Sequence, residues 1–442
     1  MKLFVKTFGC QMNEYDSARM IEGLRLSGWE PTSDIACADL MIFNSCSIRE
    51  KAVSKLVSAV GRAAVIKRKR PGTLLAVTGC TAQLQSDWLL ARVPDIDLVV
   101  GPDRYADLAA LVGRARAGQV RATERVETGD YAFLDARPIQ GDLGASAFVT
   151  IMKGCDNWCA YCVVPAARGP EVSRPAPEVI EEVRRVVGVG AREVFLIGQN
   201  VNSYRGVEGG FPALLEQVAG VEGVARIRFT TSHPKDLGPD LARAMARLPE
   251  VCEWLHLPVQ AGSSRVLRSM RRRYTREAYL EKVALVRDHV PDIALTTDII
   301  VGFPGETRAD FDQTLSLLRD VRYDSIYSFR FSPREGTRAA ELTDDVDLAE
   351  KKDRLATLQA LQAEITSERL RARVGGVRQV LVEGPSRRGG GQVTGRTRGN
   401  IVVNFEARAG GPAVGDLVEV AILNAGSHTL EGELAPQTES QR

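Results

Sequence analysis

The chain predicts an α/β protein in three parts: an N-terminal domain on a parallel sheet, a partial (β/α)6 barrel, and a small C-terminal β-barrel. Three observations carry this. Continuous apolar runs alternate with helical stretches up to about residue 120, a second alternation begins near Ala147 and runs for six cycles, and period-two strands with Gly-rich turns follow a long last helix. Buried parallel strands read as continuous apolar runs, because helices cover both faces of their sheet. With 442 residues, 44% of them apolar, the chain can build several domains with real cores.

In the first part, the runs Leu3 to Gly9, Leu40 to Ser45 and Leu74 to Gly79 each lead into a cysteine: Cys10, Cys46 and Cys80. Loops at the carboxyl ends of parallel strands face one crevice, so these three can converge although no local spacing announces it. The alternative is three core cysteines that happen to follow strands, since free cysteine is often buried. Cys37 and Cys252 have no such company and read as ordinary thiols. The polar stretch Arg137 to Gly144, with Pro138 and Gly141 as breakers, reads as a linker. The expected parts are residues 1–120, a linker at 121–145, 146–374 and 375–437, with a disordered tail at 438–442.

The barrel strands are expected at Phe148 to Met152, Glu193 to Ile197, Arg226 to Thr230, Trp254 to Leu257, Leu295 to Val301 and Ser325 to Phe331. Helices fill the gaps: Pro177 to Val187, Pro212 to Val218, Leu237 to Arg247, Arg276 to Asp288, Ala309 to Leu318, and Leu348 to about Arg373. Six βα units fall short of the eight that close a full barrel, so an open arc is the economical reading. In the third part, Gln379 to Val382, Gln392 to Thr394, Asn400 to Phe405 and Leu417 to Leu423 read as strands of a small barrel, a type that often binds oligonucleotides.

The loop after the first barrel strand holds Cys155, Cys159 and Cys162 in a C-x3-C-x2-C spacing. Three thiolates can hold three irons of a cubane and leave the fourth open to a ligand. A structural zinc site wants four ligands, and no histidine stands nearby. Thiols that hold iron must stay reduced, which with the absence of a long apolar stretch or a signal-peptide pattern points to a cytoplasmic protein. The net charge of +2 argues for no polyanion. Local basic groups do: Lys67-Arg68-Lys69-Arg70, then Arg268, Arg271, Arg272, Arg273 and Arg276, then Arg387, Arg388, Arg396 and Arg398 make RNA a working guess.

These residues carry a resemblance. Cys155-x3-Cys159-x2-Cys162 after the first strand of a six-unit barrel resembles the radical S-adenosylmethionine superfamily, and the C-terminal barrel is similar to a TRAM domain. With the cysteine triad at Cys10, Cys46 and Cys80, the chain resembles the methylthiotransferases over nearly its whole length. Matching segments include Gly9-Cys10-Gln11-Met12-Asn13, Ser45-Cys46-Ser47-Ile48-Arg49, Tyr161-Cys162-Val163-Val164-Pro165, Gly198-Gln199-Asn200-Val201-Asn202, Thr230-Thr231-Ser232-His233-Pro234 and Val301-Gly302-Phe303-Pro304-Gly305. Ala166-Ala167 departs from the pattern.

The resemblance implies two 4Fe-4S clusters, one on each cysteine triad, and S-adenosylmethionine as radical source and methyl donor. It implies methylthio transfer to carbon 2 of N6-dimethylallyladenosine in tRNA, an electron donor such as flavodoxin or ferredoxin, and a monomer. Gln199, Asn200, Ser232, Gln260 and Gly302 follow barrel strands at the face where barrel ligands bind, and are assigned to S-adenosylmethionine or the target nucleoside. Two other readings stay open: a different acceptor, either threonylcarbamoyl-adenosine in tRNA or an aspartate of a ribosomal protein, and an RNA-binding protein whose clusters are structural or sense oxidation.

Overall fold

The computed structural model describes residues 1–47, 50–127, 131–134, 144–387, 389, 391–406 and 411–436. Residues 128–130 and 135–143 of the expected linker, Arg388 and the tail at 438–442 lie outside the described residues.

The first domain runs β1 (Lys2–Phe8), α1 (Gln11–Arg25), β2 (Glu30–Pro31), β3 (Leu40–Ser45), α2 (Glu50–Lys69), β4 (Leu74–Gly79), α3 (Cys80–Arg92), β5 (Leu98–Val100), α4 (Leu108–Ala115) and β6 (Val120–Ala122). All six strands are parallel, in the order β2-β1-β3-β4-β5-β6. Every residue of β3 and β4 is buried, as two-sided helix cover requires. Phe8 pairs with Ser45 and Ser45 with Gly79, so the last residues of three neighbouring strands lie in one row. The loops that follow therefore begin level with one another.

The second part runs β7 (Ser146–Thr150), β8 (Met152–Lys153), α5 (Val164–Arg168), β9 (Val172–Ser173), α6 (Ala176–Gly188), β10 (Glu193–Ile197), α7 (Gly210–Ala219), β11 (Arg226–Thr230), α8 (Pro239–Arg247), β12 (Trp254–His256), α9 (Ser264–Ser269), α10 (Arg276–His289), β13 (Ala294–Val301), α11 (Arg308–Val321), β14 (Ser325–Arg330) and α12 (Leu348–Arg371). Two parallel three-stranded sheets, β7-β10-β11 and β12-β13-β14, meet at a single bridge between Ile227 and Val251. The result is an open six-strand arc. Its first strand has the expected length but lies two residues earlier: after β7 the chain turns at Ile151 into a two-residue hairpin, β8 with β9, that carries the cysteine loop.

The third part is a closed barrel of β15 (Val377–Pro385), β16 (Gln392–Thr397), β17 (Val402–Glu406), β18 (Leu417–Ala425) and β19 (Thr429–Leu434), ordered β15-β16-β17-β19-β18. The fifth strand is absent from the sequence reading because Thr429-Leu430-Glu431-Gly432-Glu433-Leu434 offers only two apolar residues and a mid-strand glycine. That glycine is a packing requirement: a Cβ at Gly432 would lie 2.3 Å from the carbonyl oxygen of Ala421.

This barrel plugs the amino ends of the arc strands. Arg226 and Arg228 of β11 are fully buried and donate to the main-chain oxygens of Arg396, Gln379, Thr397 and Arg398 at 2.7–3.0 Å. Arg398 in turn pairs with Glu253 at 2.7 Å. Arg396 and Arg398, expected as RNA contacts, are thus spent within the protein, Arg396 on Glu383. Three members of the basic run at residues 67–70 also pair with carboxylates: Lys67 with Asp97, Arg68 with Asp95 and Arg70 with Asp39.

Candidate functional site

The C-x3-C-x2-C loop leaves β8 through Gly154, whose φ of +75° suits glycine and whose Cβ, if present, would lie 1.9 Å from the Pro170 carbonyl oxygen. The Gly154 amide donates to Gln199 Oε1 at 2.5 Å, so the expected ligand-binding glutamine braces the loop. Each sulfur accepts one hydrogen bond from a different kind of donor. Cys155 receives Asn157 Nδ2 at 3.5 Å, Cys159 receives Arg272 Nη1 at 3.3 Å, and Cys162 receives the Val164 amide at 3.4 Å. Burial pushes the Cys162 thiol up to about 12, and the neighbouring Cys159 adds to it. Iron binding must displace such protons. With every sulfur carrying a donor, the set suits a cluster whose sulfurs are tuned by hydrogen bonds.

The second set is assembled by the sheet. Cys10 precedes α1, Cys46 follows β3 and Cys80 opens α3. A hydrogen bond from Cys46 lowers the Cys10 thiol to about 6 against the effect of burial, and the Arg168 charge helps. Burial raises Cys80, again against Arg168. Beneath the thiols lies a buried amide network: Asn13 Nδ2 donates to Asn44 Oδ1, and Asn44 Nδ2 donates to the Asn13 carbonyl and to Ser17 Oγ, each at 2.9 Å. The Cys10 thiol donates to Asn13 Oδ1 at 3.2 Å. In both sets the cysteines are neighbours, not a tight ring round one ion: among the described residues no three Cys, His, Asp or Glu side chains are gathered to hold a single metal ion.

One short element joins the two sets. Helix α5 starts two residues after Cys162 and ends at Arg168, which reaches into the first domain and pairs with Asp16 of α1 at 2.6 Å. Both partners are buried. A second buried network fixes the same junction: Glu182 of α6 accepts from Arg19 at 2.5 Å and from Tyr15 at 3.1 Å, and also from Arg174. Arg174 is therefore an interface residue. Below the junction, Met12 and Tyr15 of α1 pack with Phe195, Ile197 and Trp254 on the inner wall of the arc. Ring contacts at 5.7 Å from Phe148 to Phe195 and from Phe195 to Trp254 extend that wall.

The remaining expected ligands sit at the carboxyl ends of the arc strands. Asn200 is buried, with Oδ1 accepting from the His233 amide at 3.0 Å and Nδ2 donating to Asp236 at 2.8 Å. Ser232 is buried and its hydroxyl has no partner among the described residues. Gln260 holds φ +76°, a strained region for a non-glycine residue, between main-chain bonds to Asp298 and Ile300 of 2.9 Å. A Cβ at Gly302 would lie 2.3 Å from Cγ of Lys351. Burial, with Arg272 next in effect, pushes His233 down to about 2, so it is a neutral acceptor for the Lys235 amide.

Sequence reasoning missed Asn13, Asn44, Asp16 with Arg168 as a pair, and Glu182. It also read Arg272 as one of five surface arginines. Arg268, Arg271 and Arg273 are exposed, whereas Arg272 is buried against Cys159 and Arg276 pairs with Asp320.

Comparison with known proteins agrees with this architecture. The model of the radical SAM superfamily matches residues 149–318, that of uncharacterized protein family UPF0004 matches 2–101, and that of the TRAM domain matches 371–435. A tRNA-2-methylthio-N(6)-dimethylallyladenosine synthase of Geobacter metallireducens is 49% identical over 98% of both chains. Its namesake in Syntrophobacter fumaroxidans is 47% identical over 98% of this chain and 96% of that protein. Among solved structures, a radical S-adenosylmethionine methyltransferase from Kitasatospora setae superposes with a TM-score of 0.56 at 15% identity, covering 74% of each chain. At that identity the likeness is one of fold.

Proposed function

Because the chain belongs to the tRNA-2-methylthio-N(6)-dimethylallyladenosine synthase family, we propose that it adds a methylthio group to carbon 2 of N6-dimethylallyladenosine next to the anticodon of tRNA, using two S-adenosylmethionine per turnover. Like the radical SAM superfamily, it uses a 4Fe-4S cluster and S-adenosylmethionine. In this reading there are two clusters, one held by Cys155, Cys159 and Cys162 and one by Cys10, Cys46 and Cys80. The observation that carries it is Arg168, which stands six residues after Cys162 on α5, pairs with Asp16 and acts by its charge on both Cys10 and Cys80, so that two three-cysteine sets lie on either side of one short helix.

The target C–H bond is strong and non-acidic, so no side-chain base can activate it. Iron–sulfur clusters with S-adenosylmethionine supply the one-electron and group-transfer chemistry that can. The chain's own work is positional. Gln199 and Gly154 fix the entry to the cysteine loop, Asn200 ties the ends of β10 and β11 together, and the spare hydroxyl of Ser232 is free to bond a ligand. Gln260 and Gly302 bring backbone close to the same face. The packed inner wall excludes water below it. Exposed Arg268, Arg271 and Arg273 beside the cysteine loop, and Arg387 of the C-terminal barrel, are assigned to tRNA phosphates.

The domain division proposed is 1–120 for the second cluster, 146–374 for the radical SAM core and 375–437 for the TRAM barrel, joined by a linker at 121–145. The protein works as a cytoplasmic monomer that receives electrons from a flavodoxin- or ferredoxin-type donor. No helix among the described residues is long and apolar enough to cross a membrane. The test is mass spectrometry of tRNA nucleosides from cells with and without the gene, with ribosomal proteins weighed alongside. Loss of the methylthio nucleoside and build-up of its unthiolated precursor is the expected result; a lighter ribosomal protein with unchanged tRNA would move the acceptor to protein.

A further inference from the structure

Among the described residues, Arg272 is a buried cation with no carboxylate partner. Its Nη2 donates to the Pro258 carbonyl at 2.7 Å, its Nε to the Tyr274 hydroxyl at 2.7 Å, and its Nη1 to Cys159 Sγ at 3.3 Å and the Tyr161 hydroxyl at 3.4 Å. None of these partners is a carboxylate. Its face also lies 5.2 Å from the Tyr274 ring. The contrast with Arg168 is direct, because that guanidinium has Asp16 at 2.6 Å. Leaving a charge buried and unpaired is strongly unfavourable. Of these partners, the one that iron binding makes anionic is the Cys159 sulfur at the end of Nη1.

We propose that Arg272 is the counter-charge of the Cys155, Cys159 and Cys162 set, a positioning residue that raises the reduction potential of the cluster held there. The proposal rests on the reading above that this set holds a 4Fe-4S cluster. Three thiolates leave such a cluster net negative in both oxidation states, and more so when reduced. Reduction adds one electron from a single-electron donor, with no proton taken up and no bond made or broken. A fixed cation in a low-dielectric site favours the more negative state. The neutral grip of Pro258, Tyr274 and Tyr161 leaves the whole charge of Arg272 for the cluster. Arg168, already balanced by Asp16, exerts a weaker pull on the other set.

The test is a redox titration followed by electron paramagnetic resonance on the full-length chain, reconstituted with iron and sulfide, for wild type, R272Q and R272K. Expected for R272Q is a fall in the midpoint potential of one cluster with the other unmoved, and for R272K a potential at or near wild type. R272Q with full iron content and both potentials unchanged would overturn the proposal. So would R272K falling as far as R272Q, since shape and not charge would then be the cause. If R272Q fails to fold or load, R272M, which also removes the charge, takes its place under the same criteria. A wild-type chain that loads no iron through Cys155, Cys159 and Cys162 would defeat the site reading itself, and is seen before any variant is compared.

Discussion

The two cysteine sets differ in how the chain makes them. One is local: eight residues on a hairpin place Cys155, Cys159 and Cys162, braced from afar by Gln199, by Arg272, and by main-chain bonds of Ala160 to Met270 and Ala339. The other exists only when three strands stand in register, since Cys10, Cys46 and Cys80 are each separated from the next by more than thirty residues. The lesson is that the same ligand count can rest on loop chemistry in one place and on sheet cooperativity in another. The two should then fail in different ways.

Replacing a cysteine in each set separates them most sharply. C159A should abolish cleavage of S-adenosylmethionine to 5′-deoxyadenosine while iron remains on the other set. C46A should abolish methylthio product but leave that cleavage measurable by chromatography. If C46A also stops cleavage, the sets are one unit and the comparison fails. Next in size, D16A leaves Arg168 buried without its carboxylate and should destabilise the domain junction by about 3–5 kcal/mol, seen as a lowered urea midpoint. N44A removes the amide under the assembled set and leaves Asn13 short of partners, about 1–3 kcal/mol. Iron titration should show N44A losing iron from the Cys10 set before the Cys155 set. The smallest effect belongs to T307A. Thr307 caps α11 in a reciprocal capping box with Asp310, so its loss should lower thermal stability by about 1 kcal/mol. Neither cysteine set should notice.

Legibility follows the same division. The local set is legible because spacing alone groups Cys155, Cys159 and Cys162. Grouping Cys10, Cys46 and Cys80 needs only the rule that parallel strands end in one crevice, and apolar runs marked those ends. What no run could reveal is the layer beneath. Asn13 and Asn44 look like ordinary polar residues until the sheet brings them within 2.9 Å of each other. Arg272 stands between two exposed arginines, and its burial depends on the left-handed turns at Arg271 and Arg273, φ 59° and 58°, which composition does not signal. Arg226 and Arg228 did carry a hint. Two arginines alternating with Ile227 and Phe229 in a strand ask for a polar partner at that end of the arc, and the C-terminal barrel supplies it in backbone oxygens.

Helix α5 has a further consequence. Its five residues from Val164 to Arg168 span about 7.5 Å at 1.5 Å per residue. It begins beside one cysteine set and ends beside the other, so it acts as a gauge block. The side chain at exposed Ala166 can change without altering the gap it measures. A single inserted or deleted residue would swing Arg168 by about 100° round the helix axis and break its grip on Asp16. Such a segment tolerates spelling changes but not changes in length, and relatives that handle a bulkier or slimmer acceptor should differ here by whole residues.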